Sequence, residues 1–560
     1  MTHPPVAPPS ARPRFFQRPW AWWFMVLVLV LVAAARLRLL NFPLERDEGE
    51  YAYAGQLLLQ GIPPYQLAYN MKFPGTYAAY AAIMALFGPT PAGIHFGVLC
   101  LTTLTALMLF WLGKHILDGT AGMVAATFYA LLAASSSMLG LAGHATHFAA
   151  FFATAGLCLM WKARQNGRGL TVFAAGFLFG LAILMKQHAA LIGLWAAIAL
   201  VVERLGPMQT SFVRRLWPVA LLGAGLVLPF SLCCLMLWHA GVFEKFWFWT
   251  MEYARQYESV VPMGQAPQLF WWRICHLAVA DPLLWLIVVT GLGWAWFDDR
   301  LAHSRLWLLG FVLAAALTVV PGFYFRKHYF LLLLPAAALL AGCASSGASR
   351  LWHRKANHSR LGDWPVWGCA LAVTATIIVR SPMWFAEPLK QIARGTYGAD
   401  PLPESEIIAG YIRDHSAPDA RVAVLGSEPE IYFLARRHSA TGYIYTYGLM
   451  EEQPFARQMQ DEMIREISGH PPEFIVFADN PLSWARKPAS DPTIFNWWDA
   501  YQTNYTLVGL ADILSPTQTV YCLGADWVAR YGGVIRGSGL EVYQRVAVSP
   551  APKSNPGPAE

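Results

Sequence analysis

Asp47, Glu48 and Glu50 fall together in RDEGEYAYAGQLLLQGIPPYQ, directly after an apolar segment. Three carboxylates so close to a bilayer are costly unless water or function holds them there. Cations recur further along: Lys72 in KFPGTY, Lys186 in GLAILMKQHAAL, and Arg326, Lys327 and His328 ahead of Tyr329 in YFRKHYF. His144 and His147 stand three apart in GHATHFAAFF. Such a set suits transfer of a glycosyl group from a lipid phosphate. That reaction needs a base for the accepting hydroxyl and cations for the phosphate, where negative charge develops. Asp47 can supply the base, and Lys72, Lys186 and the Arg326 to His328 cluster can supply the cations.

Each residue also has a plainer reading. Asp47 or Glu48 could cap a helix running to Leu59, and Glu50 needs no more than a solvated position on it. Lys186 and Arg326 to His328 could meet lipid headgroups. His144 and His147 have metal-pair spacing, but no HExxH motif or further ligand accompanies them, so no metal site is assigned. Acceptor contact or an auxiliary role is the other use for the two histidines. The aromatic stretch Phe243 to Gln265 reads as an interfacial anchor helix or as a lid.

The elements that must carry these residues are membrane helices. Of 560 residues, 56% are hydrophobic and only 13% charged, and the mean hydropathy is +0.38. The composition is that of a polytopic α-helical membrane protein. The net charge of +7 fits basic cytoplasmic loops, and no basic run interleaved with aromatics suggests nucleic acid. Eleven apolar stretches are expected to span: residues 20–40, 94–113, 120–140, 146–162, 170–185, 189–203, 216–238, 276–297, 305–321, 328–346 and 366–380. Pro74 to Phe87 is short of the roughly 20 residues a span needs and reads as an interfacial helix with Tyr77 and Tyr80 at headgroup level. On that count the loops at Lys114, Lys162 to Arg168, Arg204 to Arg215, Arg300 to Arg305 and Arg350 to Arg360 share the side of the basic N-terminus. The reactive set then collects on the opposite, outer face. Residues 1–19 read as a disordered cytoplasmic tail, 20–380 as the membrane domain with a first outer loop at 41–93, and 549–560 as a disordered tail.

Residues 381–548 change character. ESEIIAGYIRDH, EPEIYFLARR and QPFARQMQDEMIREI have helical spacing, whereas RVAVLGS and EFIVFAD read as buried strands, which suggests an extracytoplasmic α/β domain. Seven of the eight cysteines lie in or beside apolar stretches, and Cys522 alone lies in this region, so it holds no disulfide framework.

The segments DEGEYAYAGQLLLQGIPPYQ, KFPGTY, GLAILMKQHAAL and YFRKHYFLLLLPAAALLAG, in that order, resemble the signatures of GT-C glycosyltransferases of the protein O-mannosyltransferase and aminoarabinose transferase type. The resemblance implies a polyprenyl-phosphate-linked sugar donor, transfer with inversion on the outer face of a bacterial inner membrane, and a lipid, protein or polysaccharide acceptor. It places Asp47 at the reaction centre with Glu48 as neighbour, and Lys72 and Lys186 on the phosphate. Tyr329 matches the family's tyrosine near the donor phosphate, beside Arg326 and His328. Phe73 stands where the family often has Pro, and GHATHFAAFF lacks an acidic residue that relatives carry, for which His144 or His147 could stand in. No cofactor is implied with certainty, and a divalent metal stays open. A transporter of lipid-linked saccharide is the alternative, but it would call for ionisable residues within the spans and internal repeats, and the sequence shows neither.

Overall fold

The computed structural model describes residues 19–204, 212–258, 261–355 and 363–546. Most of the N-terminal tail, the C-terminal tail and part of the Arg350 to Arg360 loop lie outside the described residues. The chain begins with α1 (Pro19–Arg38), α2 (Arg46–Leu59), α3 (Gly75–Phe87), α4 (Pro91–Ile116), α5 (Gly119–Leu132), α6 (Ala145–Asn166), α7 (Gly169–Met185), α8 (Ala190–Arg204) and α9 (Phe212–His239). There follow α10 (Phe243–Trp247), a π-helical turn at Phe248–Tyr253, α11 (Ala254–Glu258), α12 (Ala266–Ala280), α13 (Pro282–Phe297), α14 (Arg305–Leu317), α15 (Leu334–Lys355) and α16 (Trp364–Phe385).

Four of the described helices are long and apolar enough to cross a membrane: α1, α4, the Leu216–His239 part of α9, and α16. The chain is a multi-pass membrane protein. Stretch 276–297 is not one straight helix, because the chain bends by 114° between α12 and α13. Pro282 opens α13 at the bend. Beside it, Asp281 is buried and accepts from the Arg380 guanidinium at 2.6 Å on each oxygen. Helices such as α14, at 13 residues, reach only about 20 Å at 1.5 Å per residue, short of a hydrocarbon core about 30 Å thick. Close packing tightens the bundle where α7 crosses α9. A Cβ at Gly176 would lie 2.1 Å from the Leu222 carbonyl oxygen, and one at Gly180 would lie 2.4 Å from that of Leu226.

Beyond α16 come α17 (Leu389–Tyr397), α18 (Leu402–Asp414), β1 (Arg421–Leu425), α19 (Glu430–Ala435), β2 (His438–Ser439), α20 (Tyr447–Met450), α21 (Ala456–Gly469), β3 (Phe474–Asp479), β4 (Tyr505–Ser515), β5 (Gln518–Leu523) and β6 (Ser538–Arg545). The sheet is mixed, in the order β2-β1-β3-β6-β4-β5. Strand β1 runs parallel to β2 and β3, while β6 and β4 add antiparallel pairs. The apolar runs VAVL and FIV are buried on both sides, as central strands require.

This sheet unit packs directly on α2. Gly49 meets α19 so closely that a Cβ would lie 2.5 Å from the Glu430 nitrogen. The Tyr53 hydroxyl accepts the Ser439 N–H at 2.7 Å, and the Tyr69 N–H donates to the Gly442 carbonyl at 2.6 Å. Arg46 is buried and donates to Asp400 at 3.0 Å, Glu428 at 3.1 Å and the Leu482 carbonyl at 2.7 Å, and it also meets the Tyr447 hydroxyl.

Candidate active site

A cavity of about 610 Å³ opens where one end of the helix bundle meets the sheet unit. Its walls come from the start of α2, the Tyr69 to Lys72 turn, the break between α7 and α8, the π-helical turn with α11, the loop before Tyr329, and the Tyr445 to Gly448 segment. Asp47, Lys72, Lys186, Arg326, His328 and Tyr329, far apart in sequence, all line it.

Asp47 owes its freedom to Glu45. The expectation that Asp47 caps the helix is corrected: Glu45 is the N-cap, its side chain accepting the N–H groups of Asp47 at 2.8 Å and Glu48 at 3.4 Å, with Glu48 completing a capping box. The Asp47 carboxylate is therefore turned to the cavity, where Oδ1 accepts from Lys72 Nζ at 2.7 Å and from the Tyr445 hydroxyl at 3.4 Å. Burial alone would raise its pKa, but the Lys72 ammonium, with His144 and His328 nearby, holds it well below the usual carboxylate range. Glu45 goes the other way, pushed well above its usual value by burial and by the charges of Asp47 and Glu48. Neighbouring carboxyls with opposed shifts separate an ionised base from a neutral acid.

Cations face Asp47 across the cavity. Lys186 lies in the break between α7 and α8, its Nζ 4.7 Å from the Tyr329 ring centroid. Arg326 donates to the Tyr257 hydroxyl at 2.9 Å and stacks over Tyr324. Among the described residues neither Lys186 nor Arg326 is in an ion pair. Lys72 differs, since Asp47 and Glu50 bracket it at 2.7 and 2.5 Å. The loop that presents Arg326 holds Gly322, Phe323 and Phe325 at positive φ. Arg273 Nε caps the Phe325 carbonyl at 2.9 Å. Strained backbone of this kind clusters where a protein fixes functional groups.

Other expected residues lie elsewhere. Glu48 is fully buried and does not line the cavity; it accepts the Gly143 N–H at 2.5 Å and lies 3.2 Å from His95 Nε2. His147 is buried and does not line the cavity. Glu50 is corrected from a solvated position to a buried one, because it accepts from Lys72 and from the Tyr77 hydroxyl, both at 2.5 Å. Tyr77 and Tyr80 are likewise buried donors, Tyr80 to the Gly143 carbonyl at 2.7 Å. Glu45, Tyr257 and Tyr445 escaped the sequence reading. Glu45 preceded the quoted acidic run, and glutamate is not among the residues that announce a cap.

His144 is buried behind Asp47, its Nδ1 3.6 Å from Asp47 Oδ2, and its ring stacks on His328 with centroids 4.3 Å apart. Donor atoms of Asp47, His144 and His328 lie within 4.8 Å of one another and could hold a metal ion. Among the described residues both ring nitrogens of His144 are buried without a hydrogen-bond partner, which fits a ligand role, and two imidazoles with one carboxylate suit Zn²⁺.

The family described as dolichyl-phosphate-mannose-protein mannosyltransferase matches residues 72–236. The undecaprenyl phosphate-alpha-4-amino-4-deoxy-L-arabinose arabinosyl transferase 2 of Sodalis glossinidius is 28% identical over 242 residues, covering 41% of this chain and 42% of that relative. The corresponding arabinosyl transferase of Edwardsiella ictaluri is 26% identical over 226 residues, covering 37% and 38%. The chain thus aligns with less than half the length of these relatives. Among solved structures, ArnT from Cupriavidus metallidurans bound to undecaprenyl phosphate superposes over 95% of this chain and 99% of its own, with a TM-score of 0.54 at 16% identity. The chain shares the fold of ArnT. AglB, the oligosaccharyltransferase of Archaeoglobus fulgidus, solved with an inhibitory peptide and a dolichol-phosphate, has a similar fold, with a TM-score of 0.52 at 13% identity over 91% of this chain and 75% of AglB. The family match takes in Lys72, His144 and Lys186, and leaves Asp47 and the Arg326 to Tyr329 segment on either side.

Proposed function

We propose that the protein is an inverting glycosyltransferase that moves a sugar from a polyprenyl-phosphate donor to an acceptor hydroxyl on the outer face of the membrane. The observation that carries this reading is the meeting, in one cavity, of an ionised Asp47 with Lys186 and Arg326, neither of which is in an ion pair among the described residues. The GT-C fold, and undecaprenyl phosphate in the structure of ArnT, support a lipid-phosphate donor. The acceptor O–H gives its proton to Asp47 as the oxygen attacks the anomeric carbon. The bond from that carbon to the phosphate oxygen breaks, its electron pair leaves with the polyprenyl phosphate, and direct displacement inverts the configuration. Lys186 and Arg326 take up the charge gathering on the phosphate, with Tyr329 and His328 beside them. Lys72 is committed to Asp47 and Glu50 and orients the base while keeping a third N–H for the donor. We further propose eleven spans and a sheet domain outside the membrane, which the repeated basic loops on the N-terminal side support.

The test is purified protein in lipid vesicles, supplied with a panel of polyprenyl-phosphate-linked sugars and an envelope extract as acceptor. Time-dependent release of polyprenyl phosphate with labelled product is expected. Binding of every donor without release would contradict the reading.

A further inference from the structure

We propose that Tyr445, carried by the sheet unit and not by the helix bundle, is a positioning residue for the transfer: with Lys72 it holds Oδ1 of Asp47, so that Oδ2 receives the acceptor proton. The inference rests on the reading of Asp47 as the base.

The two oxygens of Asp47 have unlike surroundings. Oδ1 is engaged twice, by Lys72 Nζ at 2.7 Å and by the Tyr445 hydroxyl at 3.4 Å. Oδ2 has no hydrogen bond among the described residues, its near neighbour being His144 Nδ1 at 3.6 Å. A carboxylate anchored through one oxygen cannot swing, and the other oxygen keeps its lone pairs for the reactant. The anchors are themselves fixed. Glu50 accepts from Lys72 at 2.5 Å, and the Lys72 ammonium lies 4.6 Å from the Tyr51 ring centroid and 5.6 Å from that of Tyr445. Tyr445 thus touches both members of the Asp47–Lys72 pair.

The backbone around Tyr445 is held from within the sheet unit. The Thr446 N–H donates to Ser427 Oγ at 3.1 Å, and Thr446 Oγ1 donates to the Ser483 carbonyl at 3.2 Å. The Tyr447 hydroxyl donates to the Leu482 carbonyl at 3.0 Å and meets Arg46, the residue before Asp47. The sheet unit therefore grips Asp47 from its side chain and from its chain neighbour.

The experiment compares wild type, Tyr445→Phe and Asp47→Asn for donor binding, kcat and KM in the vesicle assay. Tyr445→Phe keeps the ring over Lys72 and removes only the hydroxyl. It is expected to lower kcat about tenfold, as loss of a hydrogen bond to a charged group does, while KM for the donor and the melting temperature stay within error. An unchanged kcat overturns the inference, and so does a rise in KM that accounts for the whole loss, because the hydroxyl would then serve binding. Should Tyr445→Phe fail to fold, a fluorinated tyrosine at 445 retains shape and alters only the hydroxyl's donor strength. A changed kcat at constant KM supports the role, and an unchanged one overturns it. Full transfer by Asp47→Asn would instead remove the reading of Asp47 as base.

Discussion

At the residue scale the site is a problem of charge. Lys186 is partly buried and in no ion pair among the described residues, and burial, followed by the nearby Lys72, pushes its pKa down to about 8 against the pull of Asp47. Phosphate binds the ammonium form, so donor affinity is predicted to fall as pH rises through 8 and to hold steady below 7. Lys186→Gln should weaken donor binding about tenfold at pH 7 and flatten the dependence, which titration of donor affinity between pH 6.5 and 9.5 would show. Glu430, in the sheet unit, makes a separate prediction. Burial first, then the charge of Glu428, lifts its carboxyl to about 8 from an ordinary value of 4.5. The folded protein thus prefers the neutral acid. Its contribution to stability is fully present below about pH 4.5, where the unfolded chain is protonated too, and is lost as pH rises toward 8. Glu430→Gln should make the melting temperature less sensitive to pH across that window.

At the scale of elements, α2 lies between the bundle and the sheet unit, and Asp47 moves with it. Gly49 permits α19 to approach, since a Cβ there would sit 2.5 to 2.7 Å from the Glu430 nitrogen, Cα and Cβ. Gly49→Ala is expected to cost about 1–3 kcal/mol by overpacking and to lower transfer with it, measured as melting temperature against activity. Arg46→Ala would strand the buried Glu428 and the mostly buried Asp400, at about 3–5 kcal/mol. The residues and segments that sequence made legible were those with local signals: the apolar stretches, the buried runs VAVL and FIV, and Asp47 with its cations. What it hid were partners chosen by tertiary contact. Glu50 read as solvated because nothing local announces Lys72 and Tyr77 as neighbours. Asp281 at the bend pairs with Arg380, 99 residues on, and Tyr445 reaches Asp47 across nearly four hundred residues of chain.

At the scale of the molecule, the account requires the cavity and the sheet unit to face away from the cytoplasm. Cysteine labelling tests this in a cysteine-free background: Ala417→Cys, exposed on the sheet unit, should react with an impermeant reagent from outside, and Asn166→Cys, exposed at the C-terminal end of α6, only after permeabilisation. The reverse pattern would invert the proposed topology. In the proposed mechanism Asp47 performs chemistry while Lys186 with Arg326 holds the donor, and Asp47→Asn separates these roles. The account predicts that this variant binds the polyprenyl-phosphate donor as the wild type does while transfer falls by at least about a hundredfold, the usual share of a positioned base. Transfer at the wild-type rate in Asp47→Asn would contradict it.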